Sequence, residues 1–348
     1  MVTIARDNYL DTVRGLAAIG VVAIHTAFWS GQSYGVPEEI QTLTLAVDVG
    51  LFFFLAGWAI SFKEKRSPWD AFKAILEIWK QWIFFICIIG IVLIKTRGGI
   101  NGLGDLISNF CFVVSIPQFM VIAGSIWFMP VYMVVTLVNS IVLYAINQNV
   151  SLKNERIISY RRYLIFLLFV FLFNSRGMIL FPQFDNIYIF YSIFYVIGLI
   201  WGNKKFRIST WRFWGGMVIL FSGMWLGSEL LGMPISPMQN NKFPPNIIYM
   251  FYTFISIWIV MFVRKYAERV PRNVLSHIGK KAIWFYFSQG IGSSLLYSIM
   301  NKVMLTNVYI KWLILFGINL VLTALCAELL SCLYNCLRRS AVFVKEVL

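Results

Sequence analysis

Apolar runs of spanning or near-spanning length fall at about 10 to 28, 43 to 62, 72 to 94, 126 to 146, 163 to 174, 187 to 201, 211 to 231, 247 to 263, 282 to 300 and 312 to 334. A hydrocarbon core about 30 Å thick needs about 20 apolar residues per helix, so the pattern predicts about ten transmembrane helices. The runs at 163 to 174 and 187 to 201 are too short to cross unaided. They either extend through polar turns or end in a cavity around Asn174, Ser175 and Arg176, a break that marks a candidate site. The stretch from Asn101 to Gly124 is apolar but interrupted by Gly102, Gly104, Asp105 and Pro117, which suits an interfacial or re-entrant segment better than an eleventh span. The expectation is an all-α polytopic membrane protein, a single transmembrane domain over residues 1–348 with no separate soluble domain.

Composition agrees with the pattern. Of 348 residues, 59% are hydrophobic, 17% aromatic and 13% charged, against about a quarter charged in soluble domains. The net charge of +15 would suit nucleic acid, but the thirty Lys and Arg stand as short clusters between apolar runs. They read as topology signals, and nucleic-acid binding is set aside on that ground. The loops holding Lys63, Lys65 and Arg66; Lys153, Arg156, Arg161 and Arg162; Lys204, Lys205, Arg207 and Arg212; and Arg264, Lys265, Arg269 and Arg272 fall on one side with both termini. The positive-inside rule makes that side cytoplasmic, with an even number of spans in the cytoplasmic membrane and the surface between them in contact with lipid. Five cysteines without a CxxC pair and two histidines support neither a disulfide framework nor a zinc site, so no metal is expected. The first apolar run continues past Arg14 and His25 without a small-residue cleavage site and reads as a retained span rather than a signal peptide.

That first run carries the chemistry. Arg14 and His25 are eleven residues apart, three helical turns plus about 20°, so they share one face of a helix about 16 Å apart. Ionisable side chains within a membrane are expensive and face a cavity or one another, so this stripe reads as a polar track. For Arg14 the plainer reading is a snorkelling side chain paired with Asp11 at i, i+3; for His25 it is an interhelical hydrogen bond. Imidazole titrates near neutrality and can take a proton from a hydroxyl nucleophile, the role of a general base. Asp48 enters the second run at about the depth of His25, where a carboxylate would orient the imidazole, or else bond backbone or another helix. Gly50 and Gly57 in the same run read as close-packing positions rather than a phosphate loop.

The run Tyr9-Leu10-Asp11-Thr12-Val13-Arg14-Gly15-Leu16-Ala17-Ala18, followed by Val21-Val22-Ala23-Ile24-His25, resembles the opening of the acyltransferase family 3 membrane proteins, whose mark is Arg, ten residues, then His. Val47-Asp48-Val49-Gly50-Leu51-Phe52-Phe53-Phe54-Leu55-Ala56-Gly57 resembles their second-helix motif, and Ile126-Trp127-Phe128-Met129 is similar to a Trp-Phe-Leu motif in their middle. Two departures stand out. Ala56 occupies the place of a Ser that usually precedes the glycine, and in the late segment from Gly279-Lys280-Lys281-Ala282 to Tyr286-Phe287-Ser288-Gln289 it is Gln289 that stands where the family often has a His. The resemblance implies transfer of an acyl group, commonly acetyl from cytosolic acetyl-CoA, to a hydroxyl of a surface glycan or its lipid-linked precursor, with acetyl-CoA a substrate and no cofactor permanently bound.

Other residues fit around that expectation. Arg14, Lys63, Lys65 and Arg66 form a basic cytosolic mouth suited to CoA phosphates, although positive-inside topology alone explains the lysines. The Arg14 to His25 spacing is comparable with an extended pantetheine arm. Arg176 is a candidate to bind the acceptor or steady an oxyanion, Trp127 to stack on a sugar or pantetheine if it is more than part of an aromatic belt, and Glu229, with Lys242, to line an acceptor cleft if that outer loop is not simply solvated. Lys73, Glu77 and Lys80 most simply neutralise one another, His277 reads as a solvated loop residue, and Glu328 has no partner apparent in the sequence. The resulting expectation is a membrane O-acetyltransferase with His25 as base helped by Asp48, direct transfer being preferred to an acetyl-histidine intermediate. The rival is a transporter or flippase using the same polar track.

Overall fold

The computed structural model describes residues 7–62, 67–97, 103–113, 119–148, 153–175, 186–202, 208–267 and 270–347. Each of the ten apolar runs falls mainly in helix, the run at 43 to 62 being interrupted at Asp48. The chain opens with α1 (Asn8–His25), a π-helical turn (Thr26–Ser30) and a 3-10 turn (Gly31–Tyr34). It continues through α2 (Glu38–Thr44), a 3-10 turn (Leu45–Val47), α3 (Val49–Ser61), α4 (Pro68–Arg97), α5 (Leu103–Phe110), α6 (Met120–Ser125), α7 (Phe128–Gln148), α8 (Lys153–Ser175), α9 (Asn186–Gly202) and α10 (Thr210–Leu231). The last part holds a 3-10 turn (Met238–Asn241), α11 (Ile247–Val263), α12 (Val274–Lys280), α13 (Ala282–Ile299), another 3-10 turn (Met300–Lys302) and α14 (Val308–Val347). Among the described residues seven helical stretches are long and apolar enough to cross a membrane, and α9 and α11 are apolar but shorter. Among the described residues there is no β-strand, and the molecule is an all-α polytopic membrane protein.

The short runs resolve differently from each other. The run at 163 to 174 is the second half of the 23-residue α8, whose first half, from Lys153 to Arg162, is polar yet helical. Length is thus gained through polar turns, and the helix passes through Asn174 and Ser175 instead of breaking before them. Arg176 lies outside the described residues. The stretch from 101 to 124 contains α5 and α6, of 8 and 6 residues, neither long enough to span by itself.

The helices gather into two compact units, one of Met1–Gly20, Pro37–Phe72 and Val131–Lys280, the other of Val21–Val36, Lys73–Pro130 and Lys281–Leu348. In the first, α3 and α9 are apolar all round and are accordingly buried on most sides. Glycines let their backbones meet: a Cβ on Gly57 would strike the Tyr195 carbonyl, and one on Gly198 would strike that of Phe54. The aromatic core follows from that crossing, with Phe53 stacked on Tyr191 at 4.4 Å and Phe190 on Tyr249 at 5.3 Å. The same device joins α1 to α12, where Gly15 faces the Leu275 carbonyl and Gly279 that of Asp11. By contrast α10 buries only Met224 and Gly227, leaving Trp211, Trp214, Val218, Ile219, Trp225 and Leu226 outward, as a lipid-facing helix requires.

In the second unit α13 packs against α14 and α6. Asn319 on α14 donates through Nδ2 to Thr26 Oγ1 at 2.8 Å and Ser293 Oγ at 2.9 Å, and all three residues are fully buried. A polar side chain within an apolar bundle must find such partners, and the bonds tie the π turn, α13 and α14 together. Trp82 and Phe85 of α4 form a ring cluster with Phe287, and Trp82 Nε1 donates to the Asn109 carbonyl at 2.8 Å.

Candidate functional site

His25 is the last residue of α1, where the helix widens into the π turn. Such single π turns inside helices recur at functional sites because they redirect a side chain without breaking the backbone ladder. Here the turn is pinned by several contacts. Thr26 and Ser30 hydroxyls donate back to the Val22 and Thr26 carbonyls at 2.8 and 3.0 Å, and Gly124 of α6 makes room for the Trp29 ring. With Thr26 also held by Asn319, the half-buried imidazole sits on a fixed base.

The ring meets α13. His25 Nδ1 is hydrogen-bonded to Gln289 Oε1 of the same unit, and Gln289 is itself buried. Its amide Nε2 donates to Ser125 Oγ at 3.3 Å, and the Ser125 hydroxyl donates to the Ile122 carbonyl at 3.2 Å. Tyr286, one turn before Gln289, donates to the Ser125 carbonyl at 2.5 Å, while Gly290 and Ile122 are in backbone-close contact and Val121 N donates to Ser294 Oγ at 3.4 Å. Docking of α6 on α13 thereby fixes the amide that faces the histidine. Gln289 is one of the two positions where the sequence departs from its resemblance, and that departure is the signal the sequence offers for its place here.

Asp48 belongs to the other unit. It caps α3 instead of lying within a helix, its backbone extended and its Oδ1 accepting from Val49 N at 2.6 Å, the place where helix N-termini favour a negative charge. Oδ2 accepts from Tyr249 OH and pairs with Lys242 Nζ at 2.7 Å. Both charged side chains are buried, with 6% and 3% of their surfaces exposed for Lys242 and Asp48. Lys242 is therefore no solvated loop residue. A knot of asparagines puts it there: Asn241 Nδ2 donates to the Pro234 carbonyl at 2.9 Å, and Asn246 Nδ2 to Asn241 Oδ1 at 2.7 Å. Asn246 Oδ1 in turn caps α11 by accepting from Ile248 and Tyr249 N.

The remaining expected residues fall as follows. Arg14 is on α1 with its NH1 3.6 Å from Asp11 Oδ1, the i, i+3 pair, and 28% of its side chain is exposed. Lys63, Lys65 and Arg66 lie outside the described residues, as Arg176 does. Trp127 is half-buried in the turn between α6 and α7, edge-on to Phe128. Glu229 is not on a loop: it is exposed in the last turn of α10, its carbonyl accepting from Gly232 N at 3.4 Å. His277 is exposed but helical, on α12. Glu328 has Lys281 as partner at 2.5 Å, and Glu77 is shared between Lys80 at 3.6 Å and Arg338 at 4.0 Å.

The family model described as an acyltransferase domain, that of acyltransferase family 3, matches residues 7–331, nearly the whole chain. No curated protein and no solved structure matches.

Proposed function

Because the chain belongs to acyltransferase family 3 and is thereby a membrane acyltransferase, we propose that it moves an acetyl group from cytosolic acetyl-CoA to a hydroxyl of a surface polysaccharide or its lipid-linked precursor. The observation that carries this reading is the half-buried His25, anchored at a π turn and addressed by a buried amide. In the reaction the acceptor hydroxyl gives its proton to the imidazole as its oxygen attacks the thioester carbonyl. The tetrahedral intermediate then expels the CoA thiolate, which takes the proton back from the imidazolium. One C–O bond forms, one C–S bond breaks, and the histidine ends as it began.

Arg14 would hold donor phosphate. A guanidinium presents five N–H donors in a fork that matches phosphate oxygens, and its pairing with Asp11 steadies that fork. Lys63, Lys65 and Arg66 would add charge at the same cytosolic mouth, both termini lying on that side.

The test is acetyl-CoA binding to the detergent-purified protein by calorimetry, which needs no knowledge of the acceptor. Saturable binding weakened about 10- to 100-fold by Arg14→Ala is expected, the loss of about one charge-assisted hydrogen bond. Well-folded protein that binds no acetyl-CoA overturns the donor assignment, and solute flux independent of CoA would then favour a transporter. With an acceptor found, His25→Ala should lower transfer by about 10²- to 10⁴-fold. Acetylated His25 after incubation with donor alone would replace direct transfer by a covalent intermediate.

A further inference from the structure

We propose that Gln289, held by Ser125, is a positioning residue that locks His25 in the Nδ1–H tautomer and so makes Nε2 the nitrogen that receives the proton. This rests on the reading of His25 as general base, but the tautomer itself follows from hydrogen-bond directions within one unit. A backbone carbonyl can only accept. The Ile122 carbonyl takes the Ser125 hydroxyl proton, so Ser125 Oγ is left with lone pairs and accepts from Gln289 Nε2. The amide is thereby oriented with Oε1 toward His25, and since Oε1 can only accept, Nδ1 must be the nitrogen that carries hydrogen. In neutral imidazole one nitrogen donates and the other accepts, so the lone pair is on Nε2.

The opposite arrangement has a visible cost. Were the amide reversed, Gln289 Nε2 would donate to Nδ1, and Ser125 would have to turn its proton toward Oε1, abandoning the Ile122 carbonyl. Two further contacts resist such a rearrangement by holding Ser125 in place: the Tyr286 hydroxyl on its carbonyl and the close seating of Gly290 on Ile122. Orientation of a catalytic imidazole through its second nitrogen is ordinarily given to a carboxylate or backbone carbonyl. Here a neutral amide does it, fixing the direction of the lone pair without adding a buried charge.

The chain has two histidines, so His277→Gln, at an exposed position on α12, leaves His25 as the single imidazole in the full-length protein. Nitrogen-15 histidine labelling and long-range proton–nitrogen correlation spectra, at a pH where the ring is neutral, then read the tautomer directly. The Nδ1–H pattern is expected, shifting toward the Nε2–H form that histidine favours in water when Gln289→Leu removes the acceptor. Gln289→Glu keeps an acceptor and adds charge, so the Nδ1–H pattern should persist while the acid limb of the pH–rate profile moves to higher pH, because a carboxylate stabilises the protonated ring that cannot act as base. Gln289→Leu should lower kcat by about 10²-fold, the lower end of what a placed general base contributes, with the acetyl-CoA KM unchanged.

An Nε2–H pattern in the protein with Gln289 intact overturns the proposal. So does a Gln289→Leu spectrum identical to it, even if that variant loses activity through misfolding elsewhere. A Gln289-dependent Nδ1–H pattern in a protein whose His25→Ala variant still transfers acetyl supports the lock and refutes the base assignment instead, so the two readings fail separately.

Discussion

Removing one partner of the Asp48–Lys242 pair should destabilise the protein far more than removing both. At 2.7 Å and an effective dielectric of about 20, the gross attraction is about 6 kcal/mol, and desolvating the two ions costs several kcal/mol each. The pair is therefore close to neutral against apolar residues of the same volume. A single substitution is different, because it leaves an ion buried with too few partners. In Lys242→Met the Asp48 carboxylate keeps the Tyr249 hydroxyl and Val49 N but loses its counter-ion, and such a loss costs about 3–5 kcal/mol. Asp48→Asn, which retains a capping oxygen for α3, strands the Lys242 ammonium with a comparable penalty.

The double variant Asp48→Asn/Lys242→Met should recover most of the loss, ending within about 1–2 kcal/mol of the parent. Thermal unfolding in detergent, followed by tryptophan fluorescence at one scan rate, reads this as single-variant Tm decreases of roughly 5–10 °C and a double variant within a few degrees of the parent. Singles that shift Tm by under about 2 °C, or a double variant whose loss is their sum, would refute the claim that the two charges act as one buried unit. Acetyl transfer measured on the same variants separates stability from chemistry: if Asp48 also assists His25, the double variant regains Tm but not activity.

Two further outcomes test the packing. Gly57→Ala puts a Cβ onto the Tyr195 carbonyl and must push α3 from α9, so a loss of about 1–3 kcal/mol or more should be seen as a lowered Tm and less monodisperse protein on gel filtration. Asn246→Ala removes the cap from two backbone N–H groups at the start of α11 together with the bond to Asn241. About 1–2 kcal/mol is expected from the cap alone, read by the same thermal scan, with Lys242 as the side chain whose seat is loosened.

What could be read from the sequence was what depends on neighbours along the chain. A helix is a local periodic object, and its apolar length is set by the membrane, so the ten runs fall in helical stretches, with boundaries displaced and the run at 43 to 62 divided between α2, a 3-10 turn and α3. The i, i+3 relation of Asp11 to Arg14 is local in the same sense. Asp48 reads in the sequence as lying within the second run at about the depth of His25, because counting along an apolar run cannot register that α2 and a 3-10 turn precede it and that it caps α3. Partners distant in sequence were illegible: Tyr249 is 201 residues from Asp48, Gln289 is 264 from His25, and Lys281 is 47 from Glu328. Lys242 looked solvated because four prolines surround it. The side-chain bonds of Asn241 and Asn246 fold that polar segment inward, and nothing in its composition distinguishes an asparagine that binds water from one that binds backbone.

The buried Asp48 and the half-buried His25 meet the same physical problem in opposite ways. Asp48 keeps a full charge at low exposure and answers it with another full charge, an ammonium held by its own loop. Such a centre is stable only while complete, which suits a joint. His25 meets a neutral amide, which would suit the proposed role of a base whose charge changes during the reaction. A base that takes a proton from a hydroxyl must return it to the leaving thiolate. A carboxylate against the ring would hold the imidazolium more firmly the lower the local dielectric, slowing the return as much as it helped the removal. An amide oxygen aligns the ring in both protonation states, since Nδ1 carries hydrogen in each, and it adds little bias between them. If His25 is the base proposed above, the Gln289 amide lets it take up and return a proton without a bias toward either charge state.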